Sequence, residues 1–342
     1  MMDAEPLSTP RIGTLPSGPL DLITDVRGLR VGHHTLDDGP VQTGVTVILP
    51  PGDAYLRKPL AACCVLNGFG KSAGLVQLEE LGCLESSIAL TNTFSVGRVV
   101  TAQIREAVAA HPEIGRDWPT LNALTLECND GYLNDIQALA VSEEHYFAAV
   151  RTAAERFAQG NVGAGRGMSC FQLKGGIGSA SRLAEDWTVG VLVLANFGKA
   201  PQCILAGRPI GDRLAGFISG EAPAPEKGSI IMVLATDAPL DALQLRRLAR
   251  RCGNGLARTG SVFGHGSGDI AVAFTTANHL DWPEAETSTL RRLPDGRLDV
   301  LFQAAAEATE QAILHALYHA ETVQGRDGHV RYSLRDALKN LP

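Results

Sequence analysis

Short apolar runs punctuate the chain, each bounded by glycine or polar residues: Gly44–Leu49, Leu60–Leu66, Ser87–Leu90, Leu121–Leu126, Val189–Ala195, Ile230–Ala235 and Ile270–Phe274. They are rich in β-branched and small apolar residues, which predicts strands covered on both faces. Longer segments between them carry helical spacing. Val96–Ala110 is amphipathic, and Tyr146–Ala158 is Ala-rich with its charges on one side. Leu240–Arg251 closes on basic residues followed by Gly253, which reads as a C-cap. Val300–Ala320 reads as a long helix buried along much of its face. Helices and buried strands mixed throughout predict a layered α/β or α+β domain. One break stands out. Gly220–Gly228 (GEAPAPEKG) has the composition of an exposed loop, yet Ser229 follows at once and opens the core-like run SIIMVLA.

Composition narrows the class. In 342 residues, 45% are hydrophobic and 20% charged, which excludes a disordered or fibrous chain. Aromatics are only 5%, so the core is built from Ala, Val, Leu and Ile. The net charge of −7, without a run of Lys and Arg, argues against duplex nucleic acid and anionic membranes as partners. No apolar run approaches the ~18 residues of a membrane span. Residues 1–18 are polar and Pro-rich without the pattern of a signal peptide, and read as a flexible extension before a single domain, 19–342. Cys63, Cys64, Cys83, Cys128, Cys170, Cys203 and Cys252 are odd in number and form no C-x-x-C. They read as buried reduced thiols, and the compartment as cytoplasmic.

Several familiar motifs fail. The glycines of Asn161–Arg182 follow a helical segment and open none, so they do not form a dinucleotide fingerprint. Tight turns or close backbone approach explain them better. No phosphate loop occurs. Ser267 sits in GHGSGD, where His265 and Asp269 occupy the places that a nucleophile elbow needs for glycine. His33 and His34 lack metal-ligand spacing and read as turn or surface residues. Neither a metal nor a cofactor is signalled.

The abrupt Gly228–Ser229 junction has a chemical use if the bond between them is cut. Ser229 would then present a hydroxyl and an α-amine, whose pKa of ~7.7–8.0 lets it act as a base without histidine. Asn196 ends an apolar run and could donate its amide to an oxyanion. Ser267 and Asp269, two apart at the start of another run, could form a hydroxyl–carboxylate relay to the Ser229 oxygen. Glu127 ends LNALTLE, beside the polar turn that starts Cys128-Asn129, and is placed to hold a substrate ammonium. Each residue alone has a bland reading as a cap, a turn acid or a solvated strand end.

Nine segments, in order, then carry a resemblance: ITDVRGLRVGHHT, QTGVTVILP, LNGFGKSAGL, ALTNTFSVG, ECNDGYLNDI, GNVGAGRGMSCFQLKGGIGSASR, VGVLVLANFG, GSIIMVLATDAPL and GSGDIAVAF. From about Leu22 onward the chain resembles the L-aminopeptidase/D-esterase family, with the DmpA- and BapA-type β-aminopeptidases. The resemblance implies an α+β fold, the four-layer αββα sandwich of self-processing, N-terminal-nucleophile-like hydrolases. It implies cleavage at Gly228–Ser229 into 1–228 and 229–342, and a homo-oligomer, commonly a tetramer. Ser229 is implied as nucleophile, Asn196 as oxyanion donor, Ser267 and Asp269 as relay, and Glu127 as the acid that receives the substrate's amine. Two positions depart from the pattern. Asp269 is one methylene shorter than the Glu found in β-peptide-cleaving relatives, and Asn129, read with Glu127 as substrate-binding, stands where some relatives carry an aromatic. The substrate class is a small peptide, amide or ester with a free amine. An acyltransferase, an oligoamide hydrolase of the same scaffold, or a non-catalytic binding protein remain as alternatives.

Overall fold

The computed structural model describes residues 8–218 and 228–340. Nine strands form two principal sheets: β1 (Arg30–Asp38), β2 (Val41–Leu49), β3 (Arg57–Gly68), β4 (Ile88–Asn92), β5 (Leu124–Cys128), β6 (Gly176–Ala184), β7 (Trp187–Asn196), β8 (Ser229–Thr236) and β9 (Gly268–Asp281). One sheet has the order β1-β2-β4-β5 and the other β3-β9-β8-β7-β6. The pairs β4–β5 and β8–β9 are parallel, and the remaining neighbours run antiparallel.

The alternation along β8 explains the layering. Ile231, Val233 and Ala235 pack between the sheets with Ile48, Leu90, Leu126 and Val272. Ile230, Met232 and Leu234 face the other way, onto α3 (Ala242–Arg258) and α4 (Leu298–Tyr318). On the far side, Val45, Val47 and Ala89 meet α1 (Val96–Ala110) and α2 (Glu143–Arg151) through Val99, Ala102, Tyr146 and Ala149. A strand buried on both faces needs apolar residues at every position, and all eight residues of β8 are buried. The result is the four-layer αββα sandwich.

Several local expectations change. The helix read as Tyr146–Ala158 starts at Glu143 behind Ser142 and stops at Arg151. It stops there because Ala154 leaves to exchange backbone hydrogen bonds with Val31. Gly253 caps nothing. The helix read as Leu240–Arg251 runs through Gly253 and Gly255 to Arg258. A Cβ on Gly255 would lie 2.4 Å from the carbonyl oxygen of Ala306 in α4, so this glycine serves the contact between the two helices.

Strands β1 and β6 had no counterpart among the apolar runs. His33 and His34 lie on β1, neither in a turn nor free on the surface. The His33 ring bonds Thr46 Oγ1 at 2.9 Å and the Ala158 carbonyl at 3.1 Å, and burial pulls its pKa down to about 4. His34 stacks on His145. Part of the supposed flexible extension is docked. Ile12 is buried, its N–H donates to Gln311 Oε1 at 2.8 Å, and its carbonyl accepts from Arg182. Residues 1–7 and 219–227, the latter taking in the Gly220–Gly228 loop up to residue 227, lie outside the described residues. Cys64 is half-buried, and the other six cysteines are buried; all seven are free thiols. Among the described residues, no helix is long and apolar enough to cross a membrane.

Candidate active site

Strand register brings the sequence candidates to one end of the molecule. Ser229 opens β8 between two neighbours, Asn196 at the end of β7 and Gly268 at the start of β9. Glu127 and Cys128 close β5 in the other sheet, where Thr91 and Asn92 of β4 are their partners. The two sheets meet at this end through the Asn196 side chain, whose Nδ2 donates to the Asn129 carbonyl at 3.0 Å.

Ser229 is buried, and its Oγ accepts the Gly268 N–H at 3.0 Å. A backbone donor on a hydroxyl oxygen fixes its lone pairs and favours developing negative charge there. Gly228 just before it lies against the strand end of β7. A Cβ there would stand 2.5 Å from the Asn196 carbonyl oxygen and 2.6 Å from Phe197 Cα. Only glycine fits at that junction.

Ser267 Oγ donates to Asp269 Oδ1 at 2.5 Å, so the shorter acid reaches its partner. Alternation along β9 puts Asp269 on the helix-facing side with Ala271, while Gly268 shares the inter-sheet side with Ile270. The pair therefore flanks Gly268. The group that meets Ser229 Oγ is the Gly268 N–H, not the Ser267 hydroxyl foreseen from the spacing. Asn67, at the end of β3, donates its amide to the Ser267 carbonyl and to that of Gly264 at 3.1 Å, which ties this loop to the sheet.

The Asn196 carboxamide is held in one orientation. Its Oδ1 accepts the Ser169 N–H at 2.8 Å, and Ser169 Oγ in turn accepts from Arg331 Nε at 3.1 Å. One amide hydrogen goes to Asn129, which leaves the second for another acceptor. Asn129 itself contributes through its backbone. Its exposed side chain caps the turn by accepting the Gly131 N–H at 2.9 Å.

Glu127 is buried rather than solvated. Its Oε1 accepts the Lys71 N–H at 2.7 Å, and its Oε2 accepts the Thr93 hydroxyl. Neither donor is a cation, which leaves the pairing of this carboxylate to a positively charged visitor. Sequence reasoning missed both. The Lys71 contribution is a backbone N–H and carries no residue signal. Thr93 stood in ALTNTFSVG without a reason to be chosen. Three residues beyond Glu127, burial drives the Asp130 carboxyl up to about 7. Asn134 donates to its Oδ1 at 3.0 Å. Lys174 is also fully buried. Its Nζ donates to the carbonyls of Gly165, Met168 and Gly175, and burial holds its pKa well below the usual lysine value.

His265 is exposed on the loop before Ser267, and among the described residues no histidine hydrogen-bonds to Ser229, Asn196, Ser267, Asp269 or Glu127. The described residues also hold no group of three His, Cys, Asp or Glu side chains arranged for a metal ion.

The arrangement has close relatives. The model of Peptidase family S58 matches residues 21–331. The β-peptidyl aminopeptidase BapA of Sphingosinicella microcystinivorans is 40% identical, over 91% of this chain and 85% of that protein. The PH0078 protein of Pyrococcus horikoshii OT3 superposes with a TM-score of 0.91 at 47% identity, covering 96% of each chain. The L-aminopeptidase D-Ala-esterase/amidase of Ochrobactrum anthropi, described as a variant of the Ntn hydrolase fold, gives 0.87 at 33% identity, again with 96% of each chain covered. With an αββα sandwich that gathers a serine, an asparagine and a buried glutamate at one end, and relatives matched over nearly its whole length, the chain belongs to peptidase family S58 and is a hydrolase of the aminopeptidase kind.

Proposed function

We propose that the chain cuts itself between Gly228 and Ser229, and that Ser229 then removes N-terminal residues from small peptides, amides or esters. The observation that carries this is the seat of Ser229: first residue of a fully buried central strand, with a backbone N–H on its oxygen. In the cut protein its α-amine takes the hydroxyl proton, and the Ser267–Asp269 pair beside Gly268 holds the charge that results. Oγ attacks the substrate carbonyl, and the free Asn196 amide hydrogen meets the oxyanion, a contribution of ~3–4 kcal/mol in comparable single-donor holes. The leaving amine or alcohol departs with the proton, and water releases the acyl group. Glu127 holds the substrate ammonium. Since one relative is a β-peptidyl aminopeptidase, β- as well as α-residues are proposed at the N-terminal position. The working form is proposed to be a cytoplasmic homo-oligomer.

Under denaturing conditions, mature protein should run as pieces of about 24 and 12 kDa, the shares of 36.2 kDa that fall to residues 1–228 and 229–342. Ser229→Ala should remain one band and inactive. His265→Ala should keep both processing and turnover. An active single band near 36 kDa disproves the processing. Loss of several orders of magnitude in a folded, processed His265→Ala would make that histidine the base.

A further inference from the structure

The turn Phe69–Lys71 joins the two halves of the site. Phe69 N–H donates to the Ser267 carbonyl at 3.2 Å, and Lys71 N–H donates to Glu127. Gly70 stands between them. A Cβ on Gly70 would lie 3.5 Å from Glu127 Oε1, 3.6 Å from Ile270 Cδ1 and 3.8 Å from Gly268 Cα. Those are ordinary van der Waals contacts, and the φ of Gly70 lies outside the left-handed region. Neither backbone nor packing therefore demands glycine here. Gly268 differs, since a Cβ there would stand 2.9 Å from the Phe69 carbonyl oxygen and 3.1 Å from Ser229 Oγ.

We propose that Gly70 is a specificity-determining residue: it leaves open the space beside Glu127 that receives a substituent on the substrate's amine-bearing carbon. The proposal rests on the reading of Glu127 as the ammonium acceptor. An ammonium nitrogen hydrogen-bonded to Oε1 sits about 2.8 Å from it, and the carbon it is bonded to lies about 1.5 Å beyond, as for any C–N single bond. A methyl group on residue 70, 3.5 Å from the same oxygen and walled by Ile270 and Gly268, would take up room next to that carbon that a substituent on it needs and a hydrogen does not. The native site accordingly admits residues branched at that carbon, such as alanyl, or 3-aminobutanoyl among β-residues. With a methyl on residue 70 it favours glycyl and β-alanyl, whose amine-bearing carbon is unsubstituted.

The test compares four p-nitroanilides, glycyl, alanyl, β-alanyl and 3-aminobutanoyl, each branched one as the enantiomer that the native enzyme prefers. In Gly70→Ala, the alanyl-to-glycyl ratio of kcat/KM should fall about tenfold or more, the discrimination one badly placed methyl commonly gives. The 3-aminobutanoyl-to-β-alanyl ratio should fall likewise, with processing and melting temperature unchanged. Because Ile270 Cδ1 is the next wall of the space, Gly70→Ala combined with Ile270→Val should recover part of both ratios. A misfolded scaffold would lose all four substrates together and would not recover. Equal losses for the four, or unmoved ratios, overturn the assignment. N-acetylglycine p-nitroanilide with native enzyme separates the two layers. If it reacts as fast as the free amine, Glu127 does not hold the ammonium and the proposal falls with that reading. If acetylation is rejected and the ratios stay put, the Glu127 reading stands and the role of Gly70 alone is wrong.

Discussion

The proposed hold of Glu127 on a substrate ammonium needs its carboxylate to face the site, and two neutral donors aim it. Thr93 supplies the hydroxyl and Lys71 the backbone N–H. Removing the hydroxyl in Thr93→Val leaves the charge in place but frees one oxygen to turn, at a cost in the range of a hydrogen bond to a charged group, ~1.5–3 kcal/mol. KM for amine-bearing substrates should rise about tenfold, which is the lower end of that range, while kcat changes little. Thr93→Ser should restore KM, and steady-state kinetics on the three proteins decides it. A fall in kcat with KM unmoved would place Thr93 in the chemical step. The same comparison shows what a sequence offers about a site. Ser229, Asn196, Ser267, Asp269 and Glu127 could be singled out because each stands where an apolar run begins or ends. Lys71 N–H, Gly268 N–H and the space beside Gly70 are backbone features, and no residue type announces them.

The two strands missed by the apolar pattern were hidden for different reasons. Strand β6 reads GIGSASRLA, yet Ser179, Ser181 and Arg182 are buried because they bond outside their own sheet. Ser179 Oγ accepts the Ile23 N–H at 2.7 Å, and Ser181 Oγ accepts the Gly18 N–H at 3.0 Å. Strand β1 is a sheet edge and only partly buried, so its alternation is weak. Gly253 shows the reverse error, a local stop signal overridden by tertiary packing, since α3 continues to Arg258 against α4. The two glycines of that helix should respond differently to alanine. At Gly255 the new Cβ meets the Ala306 backbone at 2.4 Å, and overpacking of this kind costs ~1–3 kcal/mol. At Gly253 it meets the end of the Leu66 side chain at 3.2–3.3 Å, which can turn aside, and Phe263 Cζ at an ordinary 3.7 Å. There the helix propensity of alanine, favourable by ~1 kcal/mol over glycine, offsets the contact. Urea melts should therefore show Gly255→Ala clearly destabilised and Gly253→Ala near native. Equal losses would mean that α3 and α4 do not approach as closely as described.

Cleavage at Gly228–Ser229 would divide the sequence without dividing the core. In the order β3-β9-β8-β7-β6, the two middle strands β9 and β8 belong to residues 229–342, and the strands flanking them belong to residues 1–228. Each piece therefore completes the other's sheet. Residues 1–228 alone would expose the edges of β3 and β7, and residues 229–342 would carry two buried strands paired only with each other. Helices α3 and α4, which cover β3, β6 and β7 on one face, also lie in the second piece. Processed protein should then elute as one species in native size exclusion, with both bands in every fraction. It should unfold in one transition in denaturant, because the core between the two sheets draws its residues from both pieces. The piece comprising residues 1–228, expressed alone, should be insoluble or lack cooperative unfolding, whereas refolding the two together should return activity. Separation of the bands under native conditions, or a cooperative melt from residues 1–228 alone, would show that the interleaved sheet is not what holds the enzyme together after it is cut.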